Sequence, residues 1–109
     1  IPIMADLATL DEAVKVAKTG YVDIISTTLS GYTRDSMNKY SEGPDVQLIR
    51  DIKKYTSLPV NAEGRIWELG DLELVIEAGA DIVSIGSAVT RPQLITERFV
   101  KGNHKYRNS

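Results

Sequence analysis

Hydrophobic positions along the chain gather into four short runs, and each run ends in polar residues before a helical pattern begins. The runs are Pro2-Ile3-Met4-Ala5 into Asp6, Val22-Asp23-Ile24-Ile25-Ser26 into Thr27-Thr28-Leu29-Ser30-Gly31, Leu58-Pro59-Val60-Asn61-Ala62 into Glu63-Gly64-Arg65, and Asp81-Ile82-Val83-Ser84-Ile85 into Gly86-Ser87-Ala88. Apolar runs of this length mark strands buried on both faces. Asn61 is a polar insert in the third run, where an apolar residue is routine, and the pattern gives no reason for it.

Helical spacing follows every run. Thr9 or Asp11 is a suitable N-cap for a first helix carrying Leu10, Ala13, Val14 and Ala17, with Gly20 as its C-cap. A long connection, Ser30 to Gly43, separates the second run from its helix, and such connections often serve as lids. Pro44 and Asp45 open the second helix, whose stripe is Val46, Leu48, Ile49, Ile52 and Tyr55. A third helix is expected from Leu69 or Asp71 to Ala78, stopped by Gly79. Pro92 sits at the first position of the last helix, which is expected to bury Leu94, Ile95, Phe99 and Val100. Gly102 to Ser109 reads as a fraying polar tail that includes His104.

Strand-then-helix repetition predicts an α/β fold in one domain over residues 1–109: a parallel (β/α) half-barrel with right-handed crossovers. Barrels of this kind keep their chemistry at the C-terminal ends of the strands, where these runs place their polar residues. A complete (β/α)₈ barrel usually needs about 250 residues. With 109 residues, starting at Ile1, the chain is expected to be a fragment, or a chain whose other half is separate or lost. Half a barrel exposes two strand edges and apolar surface, so association with the other half or with another copy, as a homo-oligomer, is expected.

Composition narrows the classes. Thirteen Lys and Arg against fifteen Asp and Glu leave a formal charge of −2, without the basic excess of a nucleic-acid or anionic-membrane binder. The chain has no Cys, hence no disulfide framework or thiol chemistry, and a cytoplasmic setting is compatible. No apolar stretch approaches a membrane span. There is no HExxH, no carboxylate cluster at metal spacing and no GxGxxG after a strand, so neither a dedicated metal site nor a dinucleotide site is expected.

Glu63-Gly64-Arg65 is the sharpest candidate. A carboxylate at a strand's end can act as general acid or base beside an anion, or it can form a structural ion pair with Arg65. Gly86-Ser87-Ala88, followed by Thr90-Arg91-Pro92, suits a phosphate cradle to which Arg91 adds a contact; the other reading is a plain turn before a Pro-started helix. Asp6 could bind hydroxyls or cap a helix. Thr27, Thr28 and Ser30 offer hydroxyls that bind ligand or satisfy nearby backbone. Gly31-Tyr32-Thr33 begins either a lid or an ordinary loop, and Trp67 packs or sits on the rim near Arg65.

Taken in order, Met4-Ala5-Asp6, Thr27 to Thr33, Gly43-Pro44-Asp45, Pro59 to Ile66 and Gly86 to Pro92 resemble the N-acetylmannosamine-6-phosphate 2-epimerase family over nearly the whole chain. The TTLSGYT and AEGRI segments are the most specific, and TTLSGYT argues against other phosphosugar barrels. The resemblance covers the fifth to eighth βα units, the C-terminal half of that family's TIM barrel. It implies C2 epimerisation of N-acylmannosamine 6-phosphate to the glucosamine epimer in sialic acid catabolism, without metal or redox cofactor. It implies Glu63 as an acid/base residue, and Asp6, Thr28, Ser30 and Arg65 as sugar contacts. Gly64, Gly86, Ser87 and Arg91 would hold the 6-phosphate. The family's lysine base and a further arginine come from the N-terminal half. Lys15, Lys18, Lys39, Lys53 and Lys54 fall on helices or the loop, so this chain alone is expected to be inactive. The alternative is a catalytically silent half-barrel that binds a phosphosugar or serves assembly.

Overall fold

A computed structural model describes residues 1–37 and 42–107, the residues from His104 onward by backbone alone. Four strands, β1 (Met4–Asp6), β2 (Ile24–Ser26), β3 (Val60–Glu63) and β4 (Ile82–Ser84), alternate with helices α1 (Leu10–Thr19), α2 (Val46–Tyr55) and α3 (Leu69–Glu77). A short helix α4 (Ser87–Thr90) and a long one, α5 (Pro92–Arg107), close the chain. The sheet order is β1-β2-β3-β4, and every pairing is parallel. This is the four-unit α/β arrangement that the runs predict.

Local chemistry sets the boundaries. Thr9 caps α1: its hydroxyl accepts from the Glu12 N–H at 3.3 Å, and Glu12 accepts in return from the Ala8 N–H at 3.3 Å. Gly20 ends the helix at φ 74, where a side chain would be strained. Asp45 caps α2 through the Leu48 N–H at 3.1 Å. At the start of α3, Asp71 accepts from the N–H groups of Trp67 and Glu68.

Alternation divides the strands between two faces. Ala5, Ile25, Val60, Ala62 and Val83 point to the helices. There Ile25, Val60 and Ala62 join Ala13, Leu48, Ile49, Ile52 and Val75 in one buried core. Met4, Asp6, Ile24, Ser26, Asn61, Glu63, Ile82 and Ser84 line the other face, which no helix among the described residues covers. Met4 and Ile82 are 49% and 42% exposed there.

Three expectations need correction. Tyr55 lies at the end of the α2 stripe but is exposed, one turn beyond the last buried residue of that helix, Ile52. Phe99 and Val100 are exposed rather than buried, at 78% and 53%. Among the described residues β4 is an edge strand, so α5 has no following strand to cover beyond Leu94 and Ile95. Finally, α5 does not fray at Gly102 but continues to Arg107; the side chain of His104 lies outside the described residues.

Candidate active site

The C-terminal ends of β2, β3 and β4 meet around a cavity of about 240 Å³. Its walls bring together Thr28, Glu63, Gly64, Arg65, Gly86 and Ser87, six of the residues singled out from the sequence. Tyr32, Trp67 and Ser84 line it as well, and the pattern alone marked neither Ser84 nor the part of Tyr32.

Glu63 ends β3, half-buried, and its carboxylate accepts a hydrogen bond from the Thr28 hydroxyl in the turn after β2. The Glu63 N–H donates to Thr27 Oγ1 at 3.4 Å, which fixes the backbone from the same side. Gly64 follows at φ 107, a conformation only glycine adopts without strain. A Cβ there would lie 3.9 Å from the Thr28 carbonyl, and at Gly86 it would meet nothing within 4 Å. The cavity floor over Gly86 is therefore open to an approaching group.

Arg65 takes an unexpected conformation. At φ 59 it is the one non-glycine residue with positive φ among those described. Its guanidinium is buried, donating from Nε to the Gly43 carbonyl and from Nη1 to the Ser30 carbonyl, both at 2.7 Å. The Tyr32 ring lies 5.4 Å from its Cζ. Arg65 thus ties down both ends of the Ser30–Gly43 connection while facing the cavity. The described part of that connection is a tight turn. Ser36 is fully buried and accepts from the N–H groups of Gly31 and Thr33. Residues 38–41 of the expected lid, Lys39 among them, lie outside the described residues.

Three candidate residues stand apart from the cavity. Ser30 is buried and gives its hydroxyl to Asp45, joining the turn to the cap of α2. Asp6 is exposed at the end of β1, two strands from Glu63. Arg91 is exposed at the C-cap of α4, where its N–H donates to the Ser87 carbonyl at 3.3 Å. Trp67 sits on the rim, with Arg98 of α5 stacked 4.5 Å over its ring. Among the described residues no group of three or more His, Asp or Glu side chains could hold a metal ion, and no helix is long and apolar enough to cross a membrane.

The strand ends thus carry an acid/base-capable carboxylate beside an open glycine floor. A family profile described as "Putative N-acetylmannosamine-6-phosphate epimerase" matches residues 1–105. The chain belongs to this family, NanE.

Among NanE relatives, the putative N-acetylmannosamine-6-phosphate 2-epimerase of Clostridioides difficile is 50% identical over 99 residues, covering 91% of this chain and 43% of that protein. The corresponding protein of Caldanaerobacter subterraneus is 46% identical over 100 residues, covering 92% of this chain and 41% of its own length. A solved structure of the N-acetylmannosamine-6-phosphate 2-epimerase from Clostridium perfringens superposes with a TM-score of 0.83 at 42% identity, over 92% of this chain and 42% of that one. The chain therefore spans less than half the length of the NanE relatives it matches, and its four βα units correspond to part of a TIM-barrel chain.

Proposed function

We propose that this chain supplies the C-terminal four βα units of a cytoplasmic epimerase that inverts C2 of N-acylmannosamine 6-phosphate in sialic acid catabolism. The observation that carries the reading is Glu63, held by Thr28 at the wall of the cavity between β2, β3 and β4. Inversion beside a carbonyl removes a proton from C2 and returns one to the opposite face. Glu63 is suited to the acid/base part of that exchange, including ring opening. The open floor formed by Gly64, Gly86 and Ser87 receives the 6-phosphate, and grip on a group remote from C2 supplies binding energy for positioning. Neither Arg91, at the exposed C-cap of α4, nor Asp6, at the exposed end of β1, lines the cavity; the family resemblance is what assigns them to the phosphate and the sugar. Arg65 and Ser30 shape the wall and present the turn that bears Tyr32.

The chemistry is incomplete within these residues. Lys15 and Lys18 lie on α1, Lys53 and Lys54 on α2 and Lys101 on α5, so no described lysine ends a strand. On this reading the lysine base comes from further βα units, which would also cover Met4 and Ile82. The test is made in a complete barrel, with the N-terminal part of the Clostridium perfringens relative joined ahead of Ile1; that relative is 44% identical over 96 residues. Glu63→Gln keeps shape and hydrogen-bonding reach while removing proton transfer. It should lower kcat by about 100-fold or more, the scale of a positioned acid or base. Arg91→Ala should raise KM for the phosphorylated sugar. Near-normal turnover in the Gln variant would return Glu63 to a structural role. It would then favour a silent half-barrel that retains phosphosugar binding.

A further inference from the structure

Asn61 interrupts an apolar strand, and the structure supplies the reason. Its side chain lies on the uncovered face of β3 and is 2% exposed. Its Oδ1 accepts from Ser84 Oγ of β4 at 3.0 Å, and its Nδ2 donates to Ser26 Oγ of β2 at 3.1 Å. Ser26 Oγ lies 2.6 Å from Thr28 Oγ1, and Thr28 Oγ1 bonds the Glu63 carboxylate. Five side chains, from three strands and the turn after β2, therefore form one continuous hydrogen-bonded chain that ends on Glu63.

The direction of that chain is forced. The Thr28 hydroxyl has one proton and gives it to Glu63 Oε2, an acceptor. Towards Ser26, Thr28 can then only accept, so Ser26 donates to it. Ser26 has spent its own proton and accepts from Asn61 Nδ2. Asn61 Oδ1 is left to accept from Ser84. Every donor points towards Glu63, and the carboxamide at position 61 accepts on one side and donates on the other. Aspartate has the same shape but accepts on both sides, which would draw the Ser26 proton away from Thr28. Leucine has similar volume and neither function. Ser26 is fully buried, so water cannot readily replace a lost link.

We infer that Asn61 is a positioning residue: through Ser26 and Thr28 it fixes Oε2 of Glu63 and leaves Oε1 as the oxygen for proton transfer. This rests on the proposed role of Glu63. Aligned hydrogen bonds polarise one another, so an oriented chain holds its terminal carboxylate more firmly than Thr28 alone. Small misplacement of a reacting group is costly to rate and leaves remote binding intact. The loss should therefore fall on kcat rather than on KM.

The test uses the complete barrel described above, with Asn61→Leu, Asn61→Asp and Ser26→Ala, each checked for folding by circular dichroism. Asn61→Leu should lower kcat by about 10-fold or more with KM nearly unchanged, and Asn61→Asp should be no better despite its shape. Ser26→Ala removes one buried atom from the middle of the chain and should give the same split, so it carries the test if the position-61 variants fold poorly. In a Glu63→Gln background these substitutions should cost nothing further, because the group they position no longer transfers a proton. Wild-type kcat in both Asn61→Leu and Ser26→Ala, with Glu63→Gln inactive, overturns the positioning role and leaves the catalytic reading standing. The same loss persisting in the Glu63→Gln background also overturns it, since Asn61 would then act elsewhere. Full turnover in Glu63→Gln itself refutes the catalytic reading, and the positioning role with it.

Discussion

Replacing Arg65 by alanine should strip the Ser30–Gly43 turn of its anchor. The guanidinium gives charged hydrogen bonds to the Gly43 and Ser30 carbonyls, each at 2.7 Å, from a residue 7% exposed. Bonds with a charged donor contribute about 1.5–3 kcal/mol each. Gly43 is only half-buried, and water can recover part of its bond, so the pair together is worth about 2–4 kcal/mol. The backbone adds a second contribution of opposite sign. At φ 59 a residue with a Cβ carries left-handed strain that glycine avoids, a difference of about 1 kcal/mol. Arg65→Ala keeps the strain and loses both bonds, whereas Arg65→Gly loses the bonds and sheds the strain. Lysine keeps the charge without the fork and recovers at most one bond. The expected order of stability is Arg, Lys, Gly, then Ala. At a fixed protein concentration, Tm by circular dichroism should fall by roughly 8–30 °C in Arg65→Ala, at about 4–8 °C per kcal/mol for a domain near this size. Limited proteolysis should cut the Ser30–Gly43 connection faster in the Ala variant. An Ala variant within a degree or two of wild type, or one more stable than Gly, would refute the argument.

Three further outcomes follow from packing and charge. Ile52→Ala, at a fully buried position, should cost about 2–5 kcal/mol in urea denaturation, while Tyr55→Ala three residues on should cost little because Tyr55 is 47% exposed. Asp81 accepts from Lys53 Nζ at 2.8 Å and from the Val60 N–H at 2.9 Å, and the lysine bond first, then the backbone bond, holds its carboxyl below the usual range. A depressed carboxyl stabilises above its unfolded value and loses that contribution as pH falls through the folded one. Asp81→Asn should therefore flatten the acid end of the stability profile, by at most about 1 kcal/mol since the pair is largely exposed. Sedimentation should find this chain associated rather than as a compact 12.0 kDa monomer, because β1 and β4 are open edges and Ile3, Met4 and Ile82 are exposed beside them.

Legibility followed locality. The four strands, the Gly20 cap and the start of α2 at Pro44-Asp45 are written in nearest neighbours, where periodicity and capping chemistry act, and of the two N-cap candidates Thr9 and Asp11 the structure uses Thr9. Glu63, Gly64, Gly86 and Ser87 were also legible, because a strand's last residues must sit at the mouth of a parallel sheet. What escaped depends on pairs far apart in sequence. The tie from Arg65 to carbonyls 22 and 35 residues away had no local signal. The burial expected of Phe99 and Val100 assumed a strand beyond β4 that the described residues do not include. Asn61 was visible as an anomaly but not as a link. The usable signal was that Ser26, Asn61 and Ser84 each place a polar side chain inside an apolar run; only the register β2 to β4 joins them.

The central claim, that these strand ends form part of a C2 proton-exchange site, is tested most directly by running the complete barrel in deuterium oxide on N-acetylmannosamine 6-phosphate and reading C2 by NMR. The account predicts N-acetylglucosamine 6-phosphate carrying deuterium at C2, with formation of that epimer slowed about 100-fold or more by Glu63→Gln. Epimer formed without deuterium at C2, or formed at an equal rate by the Gln variant, would contradict it.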